Sequence, residues 1–295
     1  MDGMDRDTLL TIFGSYRAWK FAKQSWCISF MEGTEYIYLL EGEKKALLLD
    51  TGYGTGTLAS FVRTLTDKPL VVANTHVHPD HAAGNGEFEE VCMSDGYELD
   101  RLSVYGEPGP FDLSALPHPD YRRVYLQDGD IIDLGGRRIK VIRALPAHCN
   151  STLFYLDMDG RMFFCGDDME SAQVMMFDNS HNPDAPYEIG ERLRNLRGNA
   201  QRMKDLADAY EYLLPNHNGT PISMEYPDDY IGLVDHIFAG DALIEDRLNH
   251  KYLEMDPKAS KLCRVRWKQA SIFVEKALLM QVYGKTGKGG NVSCR

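Results

Sequence analysis

No window of about 18 apolar residues occurs anywhere in this 295-residue chain, so no membrane-spanning helix is expected. The start, Met1-Asp2-Gly3-Met4-Asp5-Arg6-Asp7, lacks a basic segment with an apolar run behind it, which argues against a secretory signal. Cysteine is sparse and scattered. Cys27, Cys92, Cys149, Cys165, Cys263 and Cys294 contain no C-x-x-C pair, which argues against a disulfide framework and reads as reduced thiols in a cytoplasmic protein. Cations are outnumbered, 32 Lys and Arg against 44 Asp and Glu, and a net charge of -12 repels nucleic acid, so no such partner is expected. There is no G-x-S-x-G elbow and no Walker loop, which removes the serine-hydrolase and P-loop chemistries that those motifs carry. Internal repeats and low-complexity tracts are also missing.

What is present is a dense group of metal-type donors. Thr75-His76-Val77-His78-Pro79-Asp80-His81 brings three imidazoles and one carboxylate together in six residues. These are the donors that Zn²⁺ and similar divalent ions prefer. A hydrophobic core has no use for them, because each buried polar group needs its own partner.

The placement of this motif is equally informative. Residues 46–49 and 69–73 are short apolar runs with the look of buried strands, and 57–65 between them has helical spacing at Leu58, Phe61, Val62 and Leu65. Earlier runs at 26–31 and 36–40 also read as strands around a turn at Glu32-Gly33-Thr34. The second buried run leads straight into the His cluster, and ligand sites in α/β sheets lie beyond the carboxyl ends of strands. Residues two apart in extended chain point the same way, so His76 and His78 can reach one ion, while Pro79 turns Asp80 and His81 toward a neighbouring position.

Three later strand ends repeat the pattern. Residues 138–144 alternate and lead to His148. Residues 153–156 and 162–165 read as a hairpin that ends at Asp167-Asp168. Residues 213–215 lead to Asn216-His217 after a long amphipathic helix over 187–210. Residues 104–121 and 171–187 are rich in Pro and Gly or in Met, and read as irregular loops that could form a lid. From about 222 the chain reads as helices, then a strand pair near 263–274.

These residues resemble the metallo-β-lactamase superfamily over about 25–220. The matching pieces are T-H-V-H-P-D-H at 75–81, A-H-C-N-S-T at 147–152, C-G-D-D at 165–168 and P-N-H-N-G at 215–219. The resemblance implies an α/β fold of the αββα four-layer sandwich type. The chain reads as a single such domain over 1–295 with a C-terminal extension from about 222. The resemblance further implies that His76, His78 and His148 hold one metal, that Asp80, His81 and His217 hold a second, and that Asp167 bridges the two. All seven positions are filled, so two Zn are expected, with Mn or Fe accepting the same donors. An intact Asp167 points away from the antibiotic-hydrolysing branch and toward the glyoxalase II, lactonase and phosphodiesterase-like branches. His78 in place of Glu disfavours the diiron flavoprotein branch. One departure stands out: the family's usual His-Thr-Pro-Gly-Ser turn is here His148-Cys149-Asn150-Ser151-Thr152, so Cys149 is either a buried thiol or an extra ligand.

The expected activity is a metal-dependent hydrolase in which a hydroxide activated by two ions cleaves a small carboxyl ester, lactone or thioester. Asp80 is the candidate catalytic residue, for proton handling. Asp50 and Asp168 are candidates for holding the second nitrogen of a ligand histidine. Asp50 reads equally as a turn residue, and Asp168 more naturally as exposed beside Asp167. Met175, Met176, Phe177, Tyr187 and Tyr226 are candidates for an apolar pocket wall, and His181 for a substrate contact; His118, His236 and His250 read as surface or packing residues. The alternative activity is a phosphodiesterase on a small or nucleotide substrate, which would need the cations Arg192, Arg194, Arg197, Arg202 and Lys204 aimed at the phosphate; their spacing also fits a solvated helix face. An iron-dependent thiol oxidoreductase is a third reading, and the full ligand set argues against it.

Overall fold

Two-residue alternation along the central strands decides the architecture. In the computed structural model, residues 11–13, 16–30, 35–104, 113–171, 173–176, 187–245 and 262–284 are described. The first sheet has eight strands in chain order. They are β1 (Thr11–Phe13), β2 (Tyr16–Ala22), β3 (Ser25–Phe30), β4 (Ile37–Glu41), β5 (Ala46–Leu49), β6 (Leu70–Ala73), β7 (Glu90–Met93) and β8 (Arg122–Tyr125). Neighbours are antiparallel up to β5 and parallel from β5 to β8. The parallel steps need crossovers, and α1 (Leu58–Val62), α2 (Pro79–Ala82) and α3 (Tyr97–Val104) lie within them.

The second sheet contains β9 (Ile131–Asp133), β10 (Arg138–Arg143), β11 (Leu153–Asp157), β12 (Met162–Gly166) and, parallel to β12, Tyr212–Pro215. A third sheet joins β13 (Val174–Met176) to the chain's last strands. With Tyr212–Pro215 counted as β14, those are β15 (Leu243–Glu245), β16 (Leu262–Trp267) and β17 (Ala270–Glu275). Helices α4 (Ile189–Asp205), α5 (Tyr226–Ala239) and α6 (Lys276–Gly284) are the remaining α-helices among the described residues.

Successive side chains of a strand point to opposite faces, and here both faces are apolar. Ile37, Leu39, Ala46 and Leu48 pack with Leu58, Phe61 and Val62 of α1. Tyr38, Leu40, Leu47 and Leu49 turn the other way and meet Val141, Tyr155, Phe164 and Leu214 of the second sheet. Phe154, Leu156 and Phe163 face outward again, onto Leu193 and Leu196 of α4 and Leu233 and Ile237 of α5. The layers are therefore helix, sheet, sheet, helix, as the resemblance implies. Each fully buried Leu or Phe contributes roughly 1.5–3 kcal/mol by leaving water. A buried ion pair also ties the two sheets. Arg137 donates to Asp157 Oδ2 at 2.6 and 2.8 Å, and to Gln24 O, Glu41 O and Ser25 Oγ of the first sheet.

Two local expectations differ from what is observed. The stretch read as a loop over 171–187 contains β13, whose edge is supplied by β17 about a hundred residues later. The helix expected over 187–210 is Ile189–Asp205 followed by a separate 3-10 turn at Ala207–Ala209. No helix among the described residues is long and apolar enough to cross a membrane.

Candidate metal centre

The expected donors lie in the connections that follow β6, β10, β12 and β14. β6 ends at Ala73, and His76 and His78 follow it. Pro79 then opens α2 at its first position, a favoured use of proline, and sets Asp80 and His81 in the first turn. His148 comes from the connection between β10 and β11. Asp167 follows β12, where the register with β14 shifts between Phe164 and Gly166. Gly166 has φ +56°, and a Cβ there would lie 3.3 Å from Thr75 Cβ, so glycine lets β12 turn close under the His loop. His217 follows β14, and its backbone bridges to Glu35.

The seven side chains converge. His78 Nδ1 lies 3.1 Å from His76 Nε2 and 2.9 Å from His148 Nε2. His81 Nε2 lies 3.0 Å from His217 Nε2. Asp80 Oδ2 lies 3.2 Å from His217 Nε2 and 3.5 Å from His81 Nε2. Asp167 Oδ2 stands between the two groups, 3.6 Å from His76 Nε2, 3.7 Å from His148 Nε2, and 3.4 Å from both His81 Nε2 and His217 Nε2. His76, His78 and His148 form one compact donor group; Asp80, His81 and His217 form another; and His76, His81 and Asp167 form a third.

Hydrogen bonds on the far side of the rings set the tautomers. His148 Nδ1 donates to the Met175 carbonyl at 2.8 Å, and His81 Nδ1 donates to Asp50 Oδ2 at 3.0 Å. Thr75 Oγ1 donates to Asp50 Oδ2 at 2.7 Å, so its lone pair faces His76 Nδ1, 3.2 Å away. When neutral, His76, His81 and His148 then carry their protons outward and direct a bare Nε2 inward, whereas His78 turns Nδ1 inward. His76 Nε2 and His148 Nε2 both face His78 Nδ1, whose single proton can serve only one of them, so the other nitrogen is left without a proton to share unless a cation lies among them. Donors about 2.0–2.1 Å from a tetrahedral ion are about 3.3 Å apart, close to the spacings seen here. Asp167 Oδ1, buried with no hydrogen-bond partner, is a further unsatisfied acceptor with a lone pair free for a cation. The donor set therefore fits divalent metal.

Charge within the cluster follows the same geometry. Burial pulls His76 well below its ordinary value, with His81 adding to the effect, and His78 falls to about 4 through burial and His148. Burial pulls His81 and His217 down too, but Asp167 and Asp80 outweigh it, lifting His81 well above its usual range and His217 to about 9. For Asp80 and Asp167 burial opposes ionisation, yet the neighbouring imidazoles hold both carboxyls well below the usual range. Without a metal, His81 and His217 would each hold a second proton against these carboxylates, and a bound ion would displace it.

Other expected residues sort as follows. Asp50, at the end of β5 with φ +67°, is fully buried and accepts from Thr75 N, Thr75 Oγ1, His81 Nδ1 and Asn216 Nδ2. Asp168 is fully buried rather than exposed, because it accepts from His148 N at 3.4 Å and from Asn199 of α4 at 3.2 Å. Cys149 is buried, with Sγ 3.1 Å from Thr152 Oγ1 and 3.4 Å from Ser151 Oγ, and joins none of the three donor groups. On α4, Arg197 and Lys204 pair with Asp235 and Asp228 of α5, and Arg202 donates to the Arg143 carbonyl. Arg192 donates to Asn150 beside the His148 loop, and Arg194 lies over the Phe238 ring. Met176 is core, Met175 is half-buried, and Phe177 and His181 lie outside the described residues. Three contributors were not foreseen: the Met175 carbonyl, Asn216, and Glu170. The last is a buried acid pushed up to about 8 by burial and by Asp167, and it accepts from Asn218 at 2.6 Å. Asn216 and Asn218 flank His217 in sequence, which is the signal that could have found them.

Known proteins with the same features are recognisable. The profile of the metallo-beta-lactamase superfamily matches residues 31–197. The chain is 28% identical over 218 residues to the acyl-coenzyme A thioesterase MBLAC2 of Bos taurus, covering 62% of this chain and 73% of that one. It is 29% identical over 183 residues to the hydroxyacylglutathione hydrolase of Gloeobacter violaceus, covering 61% of this chain and 65% of that one. Among solved structures, a metallo-beta-lactamase from Pontibacter korlensis superposes with TM-score 0.56 at 17% identity, over 75% of this chain and 99% of its own. A beta-lactamase domain protein from Burkholderia ambifaria gives TM-score 0.57 at 18% identity, over 80% of each. Likeness at that identity speaks for the fold alone.

Proposed function

We propose, from the premise that this chain belongs to the metallo-β-lactamase superfamily, that it is a metal-dependent hydrolase of carboxyl thioesters. One observation carries the reading: a single oxygen, Asp167 Oδ2, stands 3.4–3.7 Å from four imidazole nitrogens drawn from both donor groups. A carboxylate so placed could serve two ions at once. His76, His78 and His148 would hold one, and Asp80, His81 and His217 the other. Zinc suits these donors, and manganese or iron is accepted by the same set. Bound there, the ions would supply Lewis acidity toward a carbonyl oxygen and lower the pKa of water.

The chain's own residues do the rest. Water adds to the carbonyl carbon, the C–S bond breaks, and acid and thiol leave. Asp80, 27% exposed at its side chain and 3.2 Å from His217 Nε2, would hold the attacking water by a hydrogen bond and is the candidate to carry its proton to the thiolate. Asp50, Thr75 and the Met175 carbonyl hold His81, His76 and His148 in the tautomers that leave Nε2 free. Two relatives named as hydrolases of acyl-coenzyme A and of hydroxyacylglutathione support the thioester class. The phosphodiester reading loses support because Arg197 and Lys204 of α4 are paired with α5 carboxylates. Five buried free thiols among the described residues fit a reducing, cytoplasmic setting. The C-terminal residues share a core with β11 and β12, which supports one extended domain.

The test compares thioester, ester, lactone and phosphodiester turnover by zinc-loaded protein, with Asp167→Ala as the blank. Thioesters should be turned over fastest, and the variant should lose at least about 100-fold, since removing a ligand costs more than removing a ligand's partner. Unchanged turnover by Asp167→Ala, or turnover confined to phosphodiesters, would overturn the reading.

A further inference from the structure

A cavity of about 270 Å³ lies behind α2, lined by ten residues of which Arg123 alone is charged. Its wall includes Ala82 and Ala83, the residues directly after Asp80 and His81, and its apolar surface includes the buried Tyr97, Leu116 and Tyr121. The Arg123 guanidinium lies 4.8 Å from the Tyr97 ring centroid and 5.0 Å from that of Tyr121, and donates to Tyr97 Oη at 3.2 Å. Stacking on two rings fixes the guanidinium while leaving further N–H groups for a ligand. Arg123 meets no carboxylate within ion-pair distance among the described residues, whereas Arg122, Arg137, Arg138, Arg143, Arg161 and Arg197 each do. In an acidic chain, a preoriented and uncompensated arginine at an apolar cavity is a receptor for an anion.

We propose that this cavity is a second ligand site, separate from the metal centre, for a small organic anion: a carboxylate or phosphate monoester on an apolar body. The volume is just under the roughly 300–1,000 Å³ of sites for drug-sized molecules, so the occupant is a fragment-sized acid. The anionic end meets Arg123 and the apolar body lies against Tyr97, Tyr121 and Leu116. The site also touches the metal centre's support. Asn85 donates to Tyr121 Oη at 3.2 Å, and Asn85 Oδ1 accepts from Asn74 at 3.1 Å and from Thr51 at 2.8 Å. Asn74 and Thr51 in turn donate to the His81 carbonyl.

Calorimetric titration of the full chain with hexanoate, phenyl phosphate and, as the neutral control, hexanol tests this directly. Saturable one-to-one binding of at least one anion, with none of hexanol, is expected. Arg123→Gln should weaken it about tenfold or more, by loss of a charge-assisted contact, and Arg123→Lys should restore part of it. The preferred anion tells carboxylate from phosphate. Binding should persist in Asp167→Ala, where the thioesterase reading predicts no turnover, so the two proposals fail separately. No saturable binding, binding indifferent to Arg123→Gln, or binding lost in Asp167→Ala would each overturn it. Arg123 is exposed, so its variants are expected to fold, and an unchanged melting temperature checks this.

Discussion

Replacing Asp50 by Asn changes one oxygen and tests the support of the centre. Asp50 Oδ1 accepts from Thr75 N at 2.7 Å, while Oδ2 accepts from Thr75 Oγ1 at 2.7 Å, Asn216 Nδ2 at 2.8 Å and His81 Nδ1 at 3.0 Å. Four donors thus converge on one buried carboxylate, and an amide must put its NH₂ on one side or the other. With NH₂ toward Thr75 N, that backbone donor is stranded and His81 is held by a neutral amide instead of a carboxylate. With NH₂ toward the other three, Asn216 is stranded and His81 Nδ1 must accept, which moves the ring proton onto Nε2 and blocks the inward lone pair. Either way at least one buried donor loses its partner, at a cost of about 1–3 kcal/mol. Either way His81 is a poorer ligand, and losing such a partner costs about 10–100-fold in metal affinity. The assay is a chelator-competition titration for metal affinity, with thermal melts of the metal-free variant and parent. At roughly 2–4 °C per kcal/mol the melting temperature should fall by several degrees. Affinity within about threefold of the parent, under 1 kcal/mol, together with an unchanged melt, would refute the argument.

Three further outcomes are expected. Metal binding should release protons, because His217 is lifted to about 9 and His81 well above its usual range in the metal-free chain. Apparent affinity should therefore fall as pH drops below about 9, and titrations near pH 7.5 in buffers of different ionisation enthalpy should show release; none would contradict the charge balance drawn here. Cys149→Ser should keep the metal stoichiometry, since Sγ faces Ser151 and Thr152, and loss of an equivalent would make Cys149 a ligand. Arg137→Met should cost about 3–5 kcal/mol in denaturant melts by leaving Asp157 buried without its partner; a loss under 1 kcal/mol would mean that water or protonation relieves Asp157.

Much of the centre was readable because its parts are local. His76 and His78 sit two apart in extended chain, and Pro79 signals the turn that follows, so adjacency in sequence becomes adjacency in space. The sheets were readable where apolar runs such as Leu47-Leu48-Leu49 are bounded by polar residues. What escaped depends on distant partners. Val174–Met176 forms a strand because Ile272–Val274 lies alongside it, and nothing in three residues announces that. Asp168 looks exposed beside Asp167 until Asn199, on a helix thirty-one residues later, donates to it. The Met175 carbonyl is invisible to any reading of side chains.

The way the donors are held argues for where the centre's order comes from. Asp50 belongs to the first sheet, Asn216 to the end of the second, and Thr75 to the loop that carries His76; one carboxylate binds all three. Leu153 N donates to Thr75 O at 2.7 Å, and Tyr155 Oη donates to Asn74 O at 2.8 Å, so β11 grips the same loop from the opposite sheet. Asn216 N and Nδ2 reach Gly166 O and Tyr36 O, joining the Asp167 turn to β4's approach. These contacts are buried, directional and strung across the seam between the sheets. A shift of one sheet against the other would strand several polar groups at once, each at about 1–3 kcal/mol. The seam is therefore locked in register by its polar groups, and the imidazole nitrogens it carries stand within a few tenths of an ångström of the spacing of donors around one ion.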